Sequence, residues 1–280
     1  MSQATGRLCG VNDFPVPQPL TSHGPARVIA MCNQKGGVGK TTTTVSLGAA
    51  LVEYGRRVLL VDFDPQGALS ASLGVQTMDD PTIYDLLMGT VKDTRSVIVP
   101  SLIQDLDVLP ANIDLSAAEL QLVNEVAREQ ALSRALRQVT GDYDVILVDC
   151  QPSLGLLAIN ALTAAHGVLI PLEAEYFALR GVALLVETVE KVQDRLNPAL
   201  ELDGILITMF DSRTLHAREV SARVREAFGD KVFDTVIPRT VKFPDASVAA
   251  RPITEFASSH PAAEAYRRVA RELISRGGAP

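Results

Sequence analysis

An α/β fold is predicted, a mostly parallel, twisted sheet covered by helices on both faces. Three observations predict it. Short apolar, β-prone runs recur along the chain and alternate with helix-patterned stretches. A glycine-rich stretch, residues 34–42, lies between the first such run and the first helical one. Hydrophobic residues make up 47% of the 280, yet aromatics only 5%, and there is no Trp. A core of Val, Leu, Ile and Ala suits parallel strands buried on both faces.

In chain order, residues 1–25 carry Pro15, Pro17, Pro19 and Pro25 with Gly6, Gly10 and Gly24 and show no periodicity. They read as a flexible tail outside the fold, leaving 26–280 as one domain. Strands are expected over 28–32, 57–62, 106–109, 145–149, 167–172, 204–210 and 232–237. Helices are expected between most of them. The first, 41–54, stops at Gly55, which can adopt the left-handed conformation that ends a helix. A long amphipathic helix is expected over 116–139, with Leu120, Val123, Ala127, Ala131 and Leu132 on one face. Helix 179–196 ends before Pro198, 218–228 ends at Gly229, and 261–274 opens on Pro261, suited to a first turn. Ligands bind at the carboxyl ends of such strands.

The net charge is −7, but it is unevenly spread. Residues 180–280 hold 15 Lys+Arg against 14 Asp+Glu, the rest of the chain 11 against 19. The arginine-rich C-terminal part could meet an anionic partner or be an ordinary solvated surface. Cys9, Cys32 and Cys150 have no C-x-x-C spacing, which argues against a disulfide framework or a zinc site. Cys32 and Cys150 end apolar runs and are expected as buried thiols in a reduced, cytoplasmic setting. No apolar run approaches the ~18 residues of a membrane span, so neither a span nor a signal peptide is expected.

Residues 34–42 read Gln34-Lys35-Gly36-Gly37-Val38-Gly39-Lys40-Thr41-Thr42. A strand, a glycine loop and a helix start in that order form a phosphate cradle. The glycines let the backbone turn tightly and approach the phosphates. Loop N–H groups and the helix N-terminus supply positive potential. Lys40 is placed to reach the β- and γ-phosphates, the Thr41 hydroxyl to hold Mg²⁺, and Thr42 to add a hydrogen bond. Gln34 stands where the ordinary G-x-x-x-x-G-K-[ST] loop has its first glycine, and Lys35 is a second lysine on the same loop.

Lys35-Gly-Gly-x-Gly-Lys40-Thr-Thr resembles the deviant Walker A motif of the ParA/MinD group of P-loop ATPases, and the resemblance covers about residues 27–275. It implies that Lys35 crosses a dimer interface to the partner's phosphates, with Lys40 acting on its own nucleotide. Asp62-Phe63-Asp64-Pro65-Gln66-Gly67 resembles the group's D-x-D-P-Q-G segment. By that resemblance Asp64 positions or activates the water, and Asp62 supports the metal region. Val145-Ile146-Leu147-Val148-Asp149 reads as a Walker B strand, with Asp149 on Mg²⁺. The group often continues Cys-Pro-Pro-Ser-Leu-Gly; here Gln151 replaces the first Pro. Segments 209–214 and 237–242 resemble those framing the base, placing Met209, Pro238 and Arg239 near adenine. Thr240 stands where Asn is usual.

The implied function is that of a ParA/Soj-type partitioning ATPase, cytoplasmic and nucleoid-associated. ATP and Mg²⁺ would drive a homodimer that binds double-stranded DNA without sequence preference, and a ParB-type partner would trigger hydrolysis and release. Arg218, Arg223, Arg225, Lys242 and Arg251 are the candidate DNA contacts, made to phosphates. Aromatics are not interleaved among them, which argues against single-strand reading. The alternatives are a MinD-like membrane ATPase, a redox protein of the nitrogenase iron-protein kind, and a ParA-like positioner of another cargo. The first needs a basic, bulky C-terminal amphipathic helix, whereas the chain ends Gly277-Gly278-Ala279-Pro280. The second needs a second cysteine after Cys150, and there is none.

Overall fold

The computed structural model describes residues 14–77, 80–175 and 178–280. Seven strands form one sheet: β1 (Arg27–Met31), β2 (Val58–Phe63), β3 (Val99–Pro100), β4 (Leu106–Leu109), β5 (Val145–Cys150), β6 (Gly167–Glu173) and β7 (Glu201–Thr208). Their order is β3-β4-β2-β5-β1-β6-β7. Every neighbouring pair is parallel except the short edge strand β3, which runs antiparallel to β4. The helices are α1 (Lys40–Glu53), α2 (Ala68–Ser72), α3 (Ile83–Met88), α4 (Leu115–Gln121), α5 (Ala131–Leu136), α6 (Leu156–Ala164), α7 (Ala178–Arg195), α8 (Leu215–Phe228), α9 (Lys242–Val248), α10 (Ile253–Phe256) and α11 (Pro261–Ser275).

Alternation along the strands makes two cores, one on each sheet face. Val28, Ala30, Leu59, Val61, Ile146 and Val148 pack against α3 to α8. Ile29, Met31, Val58, Leu60, Val145 and Leu147 pack against α1, α10 and α11. Every residue of β2 and β5 is buried, so the only polar groups these strands can carry without partners from another element are at their ends. Cys32 and Cys150 are free, buried thiols with their sulfurs 3.3 Å apart, at the carboxyl ends of neighbouring strands.

Two expected elements form differently. Residues 232–237 make no ladder strand, only isolated parallel bridges from Val232 to Ile205 and from Pro238 to Phe210. The cause is Glu272 on α11, whose buried carboxylate accepts the N–H groups of Asp234 (2.7 Å) and Thr235 (3.0 Å) and turns them away from β7. The long helix over 116–139 is also broken. Helix α4 ends at Gln121, and Ala127 adopts φ 53°, a left-handed conformation that no helix interior tolerates. Side chains take up the carbonyls freed by the break: Arg128 donates to Val123 O, Arg134 to Ala127 O and Asn160 to Arg128 O. The expected common face therefore divides. Ala131 and Leu132 are buried, whereas Leu120 and Val123 face solvent.

Residues 1–13, with Cys9, lie outside the described residues. The next stretch runs over the body of the fold. His23 Nδ1 donates to Asp144 Oδ2 at 2.8 Å and the Gly24 N–H to Asp144 Oδ1 at 2.9 Å. Arg56, buried, donates to Gln18 O, Tyr54 O and Pro280 O, and so fastens residues near both ends of the chain to one point. Arg56→Ala leaves three carbonyls without this donor, and a loss of about 2 kcal/mol is expected. The urea midpoint should fall with an unchanged m value, and an unchanged midpoint would refute the staple.

Candidate functional site

The loop after β1 is open at its centre. Gly37 and Gly39 have φ 74° and 86°, and a Cβ at Gly36 or Gly37 would meet nothing within 4 Å. Gly39 caps α1 without a side-chain acceptor, so the first N–H groups of that helix face the loop. Lys40 is 7% exposed and its Nζ donates to Lys35 O at 3.0 Å, curled into its own loop. Burial lowers the Lys40 pKa, opposed by the Asp149 charge. Asn33 holds the loop's entry: its Nδ2 donates to Pro171 O at 2.7 Å and its Oδ1 accepts the Lys35 N–H at 2.9 Å. Thr208 Oγ1 donates to Val38 O at 2.7 Å and ties the loop to β7. Sequence reasoning missed both residues, because their partners lie 138 and 170 positions away.

Asp149 ends β5 beside this loop. Its Oδ1 accepts from Thr44 at 3.4 Å, and its Oδ2 is buried without a partner. Burial, then the Asp62 charge, push its pKa up to about 8, against the nearby Thr41 hydroxyl and the charge of Lys40. An unpartnered buried carboxylate oxygen next to a Thr hydroxyl fits a hard cation. Among the described residues no cluster of three or more His, Cys, Asp or Glu side chains could hold a metal by itself. The donor set thus fits Mg²⁺ completed by phosphate oxygens and water, with Thr41 and Asp149 as the protein's share.

Asp62 has a different task from Asp64. Its Oδ2 accepts both the N–H (2.8 Å) and the hydroxyl (2.7 Å) of Ser70 on α2, and its Oδ1 accepts the Asp64 N–H at 3.4 Å. Burial raises its pKa to about 6 against those hydrogen bonds. Asp64 is half-buried on the turn beyond, its Oδ1 accepting the Gln66 N–H at 3.0 Å.

Lys35 stands on the rim, about half exposed. Its Nζ donates to Glu175 Oε2 at 2.5 Å and Glu173 Oε2 at 3.1 Å. Burial lowers its pKa, but the two carboxylates outweigh that and raise it. Arg239 donates to the other Glu173 oxygen at 2.6 Å. Arg239 also lines a cleft of about 400 Å³ with Gly39, Met209, Thr240, Phe243 and Tyr266. Met209 holds φ 50°, a strained conformation for a non-glycine residue, at the mouth of this cleft. Pro238 bridges to Phe210 just beyond it. Phe243, packed edge-on against Tyr266, was not foreseen from sequence; it follows the 237–242 segment without a motif of its own.

The candidate DNA residues lie on helices that pack against both faces of the sheet. Arg218 and Arg223 are exposed on α8, which packs against the same sheet face as α6 and α7. Arg225 is turned inward, donating to Phe233 O and Asp234 O, because α8 must hold segment 232–237 against β7. Lys242 opens α9, which packs on the opposite face, and Arg251 follows it; they pair with Asp245 and Glu255.

The AAA domain family profile matches residues 26–202. The chain is 47% identical over 252 residues to the chromosome-partitioning ATPase Soj of Treponema pallidum, covering 90% of this chain and 98% of that protein. It is 45% identical over 258 residues to the chromosome partitioning protein ParA of Caulobacter vibrioides, covering 91% and 96%. This chain belongs to the Soj/ParA family of chromosome-partitioning ATPases. The same architecture, at a TM-score of 0.79 and 44% identity, occurs in a Mycobacterium smegmatis protein titled cobyrinic acid a,c-diamide synthase, solved with ADP and magnesium. That match covers 90% of this chain and 96% of the other. No helix of this Soj/ParA chain, among the described residues, is long and apolar enough to cross a membrane.

The acidic pair makes stability depend on pH. Asp62 and Asp149 hold protons more tightly in the folded chain than in the unfolded one, where an Asp titrates near 3.8. The folded state therefore binds more protons between about pH 4 and 8, and stability falls as pH rises through that window. Each proton contributes a slope of at most about 1.4 kcal/mol per pH unit. In urea titrations without nucleotide or metal, Asp149→Asn should flatten the decline above about pH 7, where Asp62 is mostly ionised. An identical slope in the variant would remove Asp149 as its source.

Proposed function

We propose that this protein is an ATP-driven partitioning switch that binds DNA as a dimer and lets go after hydrolysis. The observation that carries the reading is the division of labour between the loop's lysines. Lys40 is buried at the centre of the cradle, while Lys35 sits on its rim, its ammonium held by the exposed Glu175 and the largely buried Glu173. A lysine on the rim cannot serve the phosphates its own loop encloses as well as Lys40 does, but it can reach phosphates presented by a second copy.

ATP would lie with its phosphates on the N–H groups of residues 36–42 and its base in the cleft of Met209 and Arg239. Bound Mg²⁺, held by Thr41 and Asp149, would neutralise phosphate charge as the γ-phosphoryl leaves. Lys40 follows the β- and γ-phosphates. Asp64 orients the attacking water from the turn that Asp62 anchors. Lys35 must first leave Glu173 and Glu175, so dimerisation trades one set of charge pairs for another and needs the γ-phosphate to favour it.

The dimer would hold DNA through exposed cations, with Arg218 and Arg223 on α8 the best placed on each subunit. Such phosphate contacts are independent of sequence and weaken with salt. A ParB-type partner would accelerate hydrolysis and so release the DNA.

Light scattering after size exclusion, with ATP, ADP or no nucleotide and with or without plasmid DNA, tests the reading. A dimer with ATP alone, retained on DNA, is expected; a monomer under every condition would end it. Lys35→Ala should bind ATP with unchanged affinity and stay monomeric, and an ATP-dependent dimer in that variant would overturn the role of Lys35. Arg218→Glu should dimerise normally yet lose DNA retention, with the logarithmic salt slope reduced by about 1 per subunit. Unchanged retention would move the DNA face elsewhere.

A further inference from the structure

Gln151 follows Asp149 by two positions, where related sequences often carry the first of two prolines. Proline has neither a backbone N–H nor a side-chain donor. Gln151 uses both. Its N–H donates to Phe63 O at 3.3 Å, immediately before Asp64. Its Nε2 donates to Glu119 Oε1 at 3.1 Å. The residue therefore ties the end of the Asp149 strand to the end of the Asp64 strand and to α4.

Glu119 holds the far end of the same segment. Helix α6 begins at Gly155 without a side-chain cap, and Glu119 Oε1 accepts the Leu157 N–H at 3.3 Å. A carboxylate there also meets the positive end of the helix dipole. The approach is so close that a Cβ at Gly155 would lie 2.3 Å from that oxygen, and the Glu119 carboxylate would have to move to admit one. One oxygen of Glu119 thus pins residue 151 and the start of α6, and the chain from Asp149 to Leu157 has little freedom to shift.

We infer that Gln151 and Glu119 are positioning residues that set the spacing between Asp149 and Asp64, the carboxylates assigned to the metal and to the attacking water. This rests on the ATPase reading above. Neither side chain touches the nucleotide cradle; both act through the backbone that carries the carboxylates. The Gln151 side chain acts only through Glu119, so removing both should release the segment no further than removing Glu119 alone.

The test uses the full chain with Gln151→Ala, Gln151→Pro, Glu119→Ala, Glu119→Gln and the double alanine variant. Two quantities are read: steady-state kcat and KM for ATP, and the Mg²⁺ midpoint for tight binding of a fluorescent, non-hydrolysable ATP analogue. Residues that orient metal ligands typically change affinity or activity by about 10- to 100-fold. Gln151→Ala and Glu119→Ala should each lower kcat about tenfold, raise the Mg²⁺ midpoint and leave KM within about twofold. The double variant should be no worse than Glu119→Ala alone. Glu119→Gln keeps an acceptor oxygen and should recover most of the loss, whereas Gln151→Pro should not. Variants that only lower the melting temperature, with wild-type kcat and Mg²⁺ midpoint, would overturn the inference, as would additive losses in the double variant. If the wild-type protein itself fails to hydrolyse ATP, the ATPase reading falls and takes this inference with it; a working wild type with unaffected variants sinks the inference alone.

Discussion

The structure depends on one constraint: charged groups must be delivered at the carboxyl ends of strands that are buried along their whole length. The strands carrying the site are buried on both faces, so a carboxylate can sit only where the strand stops. Asp149 sits there, buried and with one oxygen unpartnered. Left to itself, that oxygen is an energetic liability, expressed in a pKa pushed up to about 8. A cation and phosphates would relieve it. The site is therefore strained towards its ligand before any ligand arrives.

Other buried carboxylates have their oxygens used up by partners. Asp62 is as deeply placed but commits both oxygens to Ser70 and to the Asp64 N–H. Glu272 is fully buried and occupied by Arg276 and two backbone N–H groups. These carboxylates shape the chain: one fixes the turn that bears Asp64, the other bends 232–237 off β7, and Ile237 at the end of that segment lines the cleft beside Met209 and Arg239. Asp149 differs in having a bonding position left over, and that difference separates a binding group from a scaffolding one.

The rim of the site is held more loosely. Lys35, Glu173, Glu175 and Arg239 form exposed ion pairs, each weak in water. Weak pairs suit groups that must change partner, while the buried bonds of Asn33, Thr208 and Asp62 suit groups that must not. The fold thereby places an exposed, weakly paired lysine on a loop held by buried bonds.

Much of this was legible in the sequence because it is local. Four apolar residues ending in Asp149, the Asp64-Pro65 turn, and glycines around Lys35 and Lys40 each put their chemistry within a few positions of the element that presents it. The recurring apolar runs determined the parallel sheet, since strands buried on both faces leave that pattern. Tertiary structure alone decided the rest. Glu119 meets Gln151 across 32 positions, Glu173 meets Lys35 across 138, and Glu272 reaches Thr235 from a different helix. It also split the helix expected over 116–139, and it separated the arginines of α8 from Lys242 on α9 by placing the two helices on opposite sides of the sheet. Side-chain acceptors that satisfy a distant backbone group leave no periodic trace, so the sequence determined which chemistry stands at the strand ends, and the folded chain decided which of those groups are held fast and which are free to bind.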